Sequence, residues 1–166
     1  MAYRPRKVQN LTRAELLPNK PPAIPVKGQR FSIKQKMGLK YEKQVQRLFA
    51  TAGAQGDSNP APLYGPWIRY EDGGGTFYAQ PDIVIPHKTF TLIVECKLSF
   101  RQRRAYIQLN DLYRPLLQWL YPEVPVRLLQ VCQFLKPNID CKLITNVNDA
   151  LKSKVDWTYA TLHYRP

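Results

Sequence analysis

Apolar side chains recur along this chain with two periods. Within residues 37–52, Tyr41, Val45, Leu48, Phe49 and Ala52 stand at i, i+4, i+7, i+8 and i+11, one stripe of an amphipathic helix. Leu109, Leu112, Tyr113, Leu116 and Leu120 repeat that spacing and predict a second helix over residues 102–120, which Pro115 should kink or split near residues 111–114. Between the two helices the pattern shortens to strands. Residues 67–71 predict a short strand, Asp72-Gly73-Gly74-Gly75 a hairpin turn, and residues 76–85 a second strand. Two runs rich in Ile, Val, Leu, Phe and Thr then flank the Pro86-His87-Lys88 break, so residues 81–97 read as a pair of strands joined by a turn. Residues 125–134 predict a largely buried fourth strand. Beyond it come a short strand at 142–145, a helix capped by Asn148 or Asn146, and a final strand over 155–164.

The ends read differently. Residues 1–36 hold Pro5, Pro18, Pro21, Pro22 and Pro25 among scattered Lys and Arg, which marks a basic Pro-rich arm ahead of a domain at 37–166. A short helix at Leu11–Leu17, capped by Thr12 or Asn10, is the one element expected in it. Residues 51–66 are rich in Gly, Pro and Asn and read as a loop.

Charge inside the apolar hairpin changes the picture. Asp82, Glu95 and Lys97 stand in a stretch that should be buried, where a charge must be paired or hold a metal. Strand alternation puts Glu95 and Lys97 on one face, roughly 6 to 7 Å apart along the backbone, with Cys96 on the other. Folding at the turn brings Asp82 opposite Glu95. Two converging carboxylates, a backbone carbonyl and waters suit the hard, octahedral shell of Mg²⁺, with Mn²⁺ as a substitute. A lysine beside them can orient or deprotonate a water, or offset phosphate charge. An ordinary Glu-Lys pair across a strand face is the plain alternative.

Pro81-Asp82, twelve intervening residues and then Glu95-Cys96-Lys97 resemble the signature of the PD-(D/E)XK nuclease superfamily, which includes restriction endonucleases, RecB-type exonucleases and Holliday junction resolvases of the archaeal and phage endonuclease I kinds. The resemblance covers residues 37–134. It implies a restriction-endonuclease-like α/β fold, an αβββαβ core with a mixed central sheet flanked by helices, and residues 135–166 as an extension. It implies Asp82, Glu95 and the backbone carbonyl of Cys96 as metal ligands and Lys97 beside the attacking water. Resolvase-like members add an acid from the first helix, and Glu42 is the matching position; a solvated helix glutamate paired with a nearby base is the other reading. Glu71 and Asp72 are spare acids ranked below it. RecB-like members carry a Gln-x-x-x-Tyr element on the second helix. Gln102 and Tyr106 have that spacing but follow Lys97 closely, whereas Gln108 and Tyr113 are better placed and one residue further apart. Tyr113 is expected in the core, and Gln108 is a candidate for positioning the water or a phosphate.

Composition adds a partner. The 166 residues carry 25 Lys and Arg against 12 Asp and Glu, a net +13 that suits a polyanion or simply keeps the surface soluble. Residues 1–43 hold 11 of the basic residues against Glu15 and Glu42, a net +9, with Lys34, Lys36 and Lys40 leading into the first helix. Arg101, Arg103 and Arg104 follow Lys97 directly, where forked guanidinium groups would meet phosphate oxygens or pair on the surface. Cys96, Cys132 and Cys141 have no metal-ligand spacing and read as reduced thiols. With no membrane-length apolar run and no secretory leader, a cytoplasmic protein is expected, in the host cytoplasm if the chain is viral. His87 and His163 lack partners for metal binding or nucleophilic catalysis, and Gly73, Gly74 and Gly75 lack the ending of a phosphate-binding loop.

These observations together lead to an expected Mg²⁺-dependent DNA endonuclease, structure-selective or junction-resolving, with a homodimer implied by the resemblance. Two alternatives stay open: a non-catalytic DNA-binding or assembly protein on the same fold, and an exonuclease or nickase subunit of a larger complex.

Overall fold

The structure, a computed structural model, describes residues 7–19, 32–53, 61–100, 102–135 and 141–166, with Gly53 and Gln102 described by their secondary structure alone. Its strands are β1 (Leu11–Leu17), β2 (Leu63–Tyr64), β3 (Trp67–Asp72), β4 (Gly75–Ala79), β5 (Ile83–Pro86), β6 (Thr91–Ser99), β7 (Val126–Phe134), β8 (Lys142–Ile144) and β9 (Tyr159–His163). The helices are α1 (Ile33–Gly53), α2 (Gln102–Ile107), α3 (Arg114–Leu120) and α4 (Val147–Ala150). A mixed sheet of order β2-β5-β6-β7-β9-β8 forms the centre, and β1-β3-β4 make a smaller antiparallel sheet. The hairpin β5-β6 is antiparallel, while β6, β7 and β9 run parallel.

Helices cover both faces of the central sheet, which is why β6 and β7 read as near-continuous apolar runs. On one face Tyr41, Val45 and Phe49 of α1 pack with Leu92, Val94, Leu129 and Val131. On the other, Leu109, Leu112, Leu116 and Leu117 pack with Val84, Ile93 and Leu128, and the small sheet adds Ile68, Tyr70 and Ala79. Each such side chain contributes about 1.5–3 kcal/mol by leaving water. Among the described residues no helix is long and apolar enough to cross a membrane.

Four expectations need correction. Leu11–Leu17 is a strand, not a helix: it pairs with β3 from Leu11↔Asp72 to Leu17↔Trp67, and Ala14 is buried. Seven residues hold a helix poorly alone, and the ladder with β3 outweighs their propensity. Helix α1 begins at Ile33 rather than Met37, because Ser32 and Gln35 form a reciprocal cap: Ser32 Oγ accepts from Gln35 N–H at 3.2 Å and Gln35 Oε1 from Ser32 N–H at 2.8 Å. That extension places Gly38 inside the helix, where glycine costs about 1 kcal/mol relative to alanine. The expected strand 76–85 is two strands in different sheets, parted at Pro81, which offers no N–H to continue a ladder. The final strand is shorter than residues 155–164, reduced to Tyr159–His163.

The second helix is divided as Pro115 demands. Between α2 and α3, residues Gln108–Tyr113 form a π-helix, bonded i to i+5, with Arg114 N–H donating to Leu109 O. Pro115 cannot donate to the Asp111 carbonyl as an α-helix would require. That carbonyl instead accepts from Val8 N–H at 2.9 Å, which ties the lead-in of β1 to this helix. The expected hairpin turn is present, with Gly73 and Gly74 at φ of 56° and 81°. Asn146 caps α4, accepting from Asn148 N–H at 2.9 Å.

Candidate active site

The site lies where β5 parts from β6. The pairing Ile83↔Val94 sets Asp82, the residue before β5, opposite Glu95. There the ladder gives way to a side chain: Asp82 Oδ2 accepts the Cys96 N–H at 2.6 Å. Within an extended strand the N–H and C=O of one residue point the same way, so the Cys96 carbonyl faces this gap too. Glu95 and Lys97 share the opposite face from Cys96, as alternation predicted, and Lys97 Nζ is ion-paired to Glu95 Oε1. Glu95 is 3% exposed, and its Oε2 has no hydrogen-bond partner among the described residues.

Glu42 approaches from α1. Its Oε1 accepts from Gln46 Nε2 one turn on, at 3.0 Å. A cavity of about 300 Å³ is lined by Glu42, Asp82, Glu95, Cys96 and Lys97, so the acids of the hairpin and of the helix meet there. Burial pushes the Glu42 carboxyl up to about 7, the Asp82 charge adds to the rise, and Lys97 and Lys43 oppose it. Glu95 is also raised, first by burial and then by Asp82, with Lys97 pulling it down. Asp82 is raised by burial, against the Cys96 N–H and Lys97. Three carboxyls thus resist ionisation in one place, and the nearby ammonium groups, Lys97 foremost, offset them incompletely.

A relay holds that ammonium. Lys97 Nζ lies 3.5 Å from Gln108 Oε1, Gln108 Nε2 donates to Tyr113 Oη at 2.9 Å, and Tyr113 Oη donates to the Gln80 carbonyl at 3.0 Å. In an α-helix residues five apart diverge by about 140°. The π-helix brings Gln108 and Tyr113 to one face, so the spacing that departs from Gln-x-x-x-Tyr still delivers the paired side chains. Tyr113 is buried as expected and is also part of the site, a role missed from sequence because an i+5 pair has no meaning on a regular helix. Pro115 was the signal available.

The remaining candidates divide. Lys34, Arg104 and Gln108 line a second cavity of about 620 Å³ beside the first. Lys36, Lys40 and Arg103 are exposed and line neither cavity. Arg101 and the side chain of Gln102 lie outside the described residues, and Tyr106 packs edge-on against Tyr159. The spare acids belong to the small sheet: Asp72 Oδ1 accepts from Gln9 and Asn10 N–H, and Glu71 pairs with Arg69 at 3.3 Å. His87 lies against Thr89 and Phe90, and His163 against the Gln133 carbonyl. Among the described residues no three His, Cys, Asp or Glu side chains are drawn into a closed metal cluster. Glu42, Asp82 and Glu95 share the cavity wall without forming such a cluster.

The residues nonetheless suit a divalent cation. The donor set is hard oxygen, one carboxylate oxygen is buried without a partner, and carboxyls raised by burial and by one another would ionise more readily beside a cation. The fold and site define a mixed α/β chain with an acidic corner at the edge of its central hairpin.

No protein-family model matches the chain, and no curated protein matches it. Among solved structures, protein VC1899 from Vibrio cholerae superposes with a TM-score of 0.43 at 15% identity, over 55% of this chain and 23% of that one. The small subunit, R.BspD6I2, of the heterodimeric restriction endonuclease R.BspD6I superposes with a TM-score of 0.36 at 16% identity, over 57% of this chain and 50% of the subunit. The chain spans half or less of the length of either structure.

Proposed function

We propose that this chain is a metal-dependent nuclease of the PD-(D/E)XK kind that hydrolyses phosphodiester bonds in DNA. The observation that carries the reading is the single cavity lined by Asp82, Glu95, Lys97 and Glu42. Asp82, Glu95 and the Cys96 carbonyl would hold a divalent ion, Mg²⁺ or Mn²⁺, with Glu42 assisting from the helix. When bound, such an ion supplies an activated water and offsets phosphate charge. The chain's own residues do the rest. Lys97, anchored by Glu95 and steadied through Gln108 and Tyr113, places an ammonium on the cavity wall, where it would meet a phosphate oxygen or the attacking water. Lys34 and Arg104 flank the approach and suit a polyanion.

Structure-selective cutting within the strand, as in junction resolution, is the form of the activity we propose. The test incubates the protein with supercoiled, linear and four-way-junction DNA plus Mg²⁺, and repeats it with Lys97→Ala and Asp82→Asn. Cutting by the wild type and its loss in both variants is the expected result. Equal cutting by the variants overturns the assignment, and salt-sensitive binding without cleavage in any divalent ion replaces it with a binding role.

A further inference from the structure

The cavity that holds the acids and the larger one beside it share Gln35, Gly38, Cys96, Lys97 and Leu98, so they form one trough beneath the N-terminal half of α1. Gln35, Gly38 and Glu42, at i, i+3 and i+7, present a single stripe of the helix to it. Outward from the carboxylates the lining changes sign: the larger cavity has Lys34, Lys97 and Arg104 on its walls and no acid.

Gly38 stands in the middle of that wall, and the interior of a helix is where glycine is least favourable. Nothing among the described residues requires it there. A Cβ built on Gly38 meets no atom of theirs within 4 Å, and the backbone is not in the left-handed region. What a side chain would occupy is the trough itself. A missing Cβ also exposes the helix backbone to close approach by a ligand.

We propose that Gly38 lets the sugar-phosphate backbone of one nucleic-acid strand lie directly against α1, with Lys34 and Arg104 on its phosphates, and so guides the strand to the carboxylates. This rests on the nuclease reading. The trough recognises backbone rather than bases, and Gly38 acts as a positioning residue that sets how deep the strand sits.

The experiment compares wild type, Gly38→Ala and Gly38→Leu in three measurements. Thermal denaturation should show both variants as stable as wild type or more so, since Ala and Leu favour the helix. Anisotropy with a fluorescein-labelled single-stranded oligonucleotide, without divalent ion, should show affinity falling about threefold for Ala and tenfold or more for Leu, near the cost of one lost good contact. On plasmid and junction substrates with Mg²⁺, the loss should fall on KM rather than kcat. A stable Gly38→Leu that binds and cuts as wild type does would overturn the proposal, as would a wild type that binds no nucleic acid. If wild type binds but never cuts while Gly38→Leu still weakens binding, the nuclease reading falls and the strand path stands.

Discussion

The two sheets treat their acids in opposite ways. In β1-β3-β4, Asp72 is 3% exposed, yet its carboxylate accepts the N–H groups of Gln9 and Asn10, and Glu15 and Glu71 share Arg69 at the surface. Every one of those charges is answered within the chain. At the edge of the central hairpin, Glu95 is equally buried but leaves an oxygen unpartnered, and Asp82 and Glu42 crowd it. Equal burial with unequal satisfaction separates an acid that holds the fold together from acids that strain it. That inequality is what the proposed metal ion would resolve.

The contrast breaks most sharply under isosteric neutralisation. Asp82→Asn or Glu95→Gln should lower cutting about 10²–10³-fold, the size of losing one preorganised electrostatic contact, while the metal-free melting temperature holds or rises. Loss of both activity and stability would show these acids to be structural. Asp72→Ala should do the reverse: chemical denaturation should find it about 2–3 kcal/mol less stable, with the cutting rate of the folded fraction intact.

Acidity sharpens the comparison next. The Glu42 carboxyl is raised in the folded state, so folded protein holds a proton there that the unfolded chain, with its ordinary value near 4.5, has released. Stability from this source is full below that value and is lost as pH rises through about 7. Melting curves in EDTA should therefore drop across this window, and Glu42→Gln should flatten the drop; an unchanged slope would place the repulsion elsewhere. The smallest effect belongs to the relay. Tyr113→Phe removes one hydroxyl from a chain that steadies Lys97, and should slow cutting by about tenfold or less, roughly 1 kcal/mol. The apparent affinity for DNA should stay put.

Much of this was legible in residue order. The hairpin, the placing of Asp82 opposite Glu95, and the buried faces of both helices followed from periods of 2 and 3.6, which depend only on neighbours along the chain. The partner of β1 did not, because pairing Leu11–Leu17 with Trp67–Asp72 joins segments some fifty residues apart. Nor did the change of sheet at Pro81, since β4 and β5 share a strand-like composition and differ only in what they meet. Within the site, Glu42 was named through the family resemblance rather than through any period of the chain. The part played by Tyr113 depended on a helix wound off its usual pitch.

That pitch gives the Gln108–Tyr113 segment a tolerance ordinary helices lack. A π turn is an α turn with one residue more, so a version of this chain shortened by one position there could rewind to regular geometry with both ends, and the glutamine-tyrosine contact, held in place. Kinship among such sites is better traced by which side chains clasp than by how many residues lie between them.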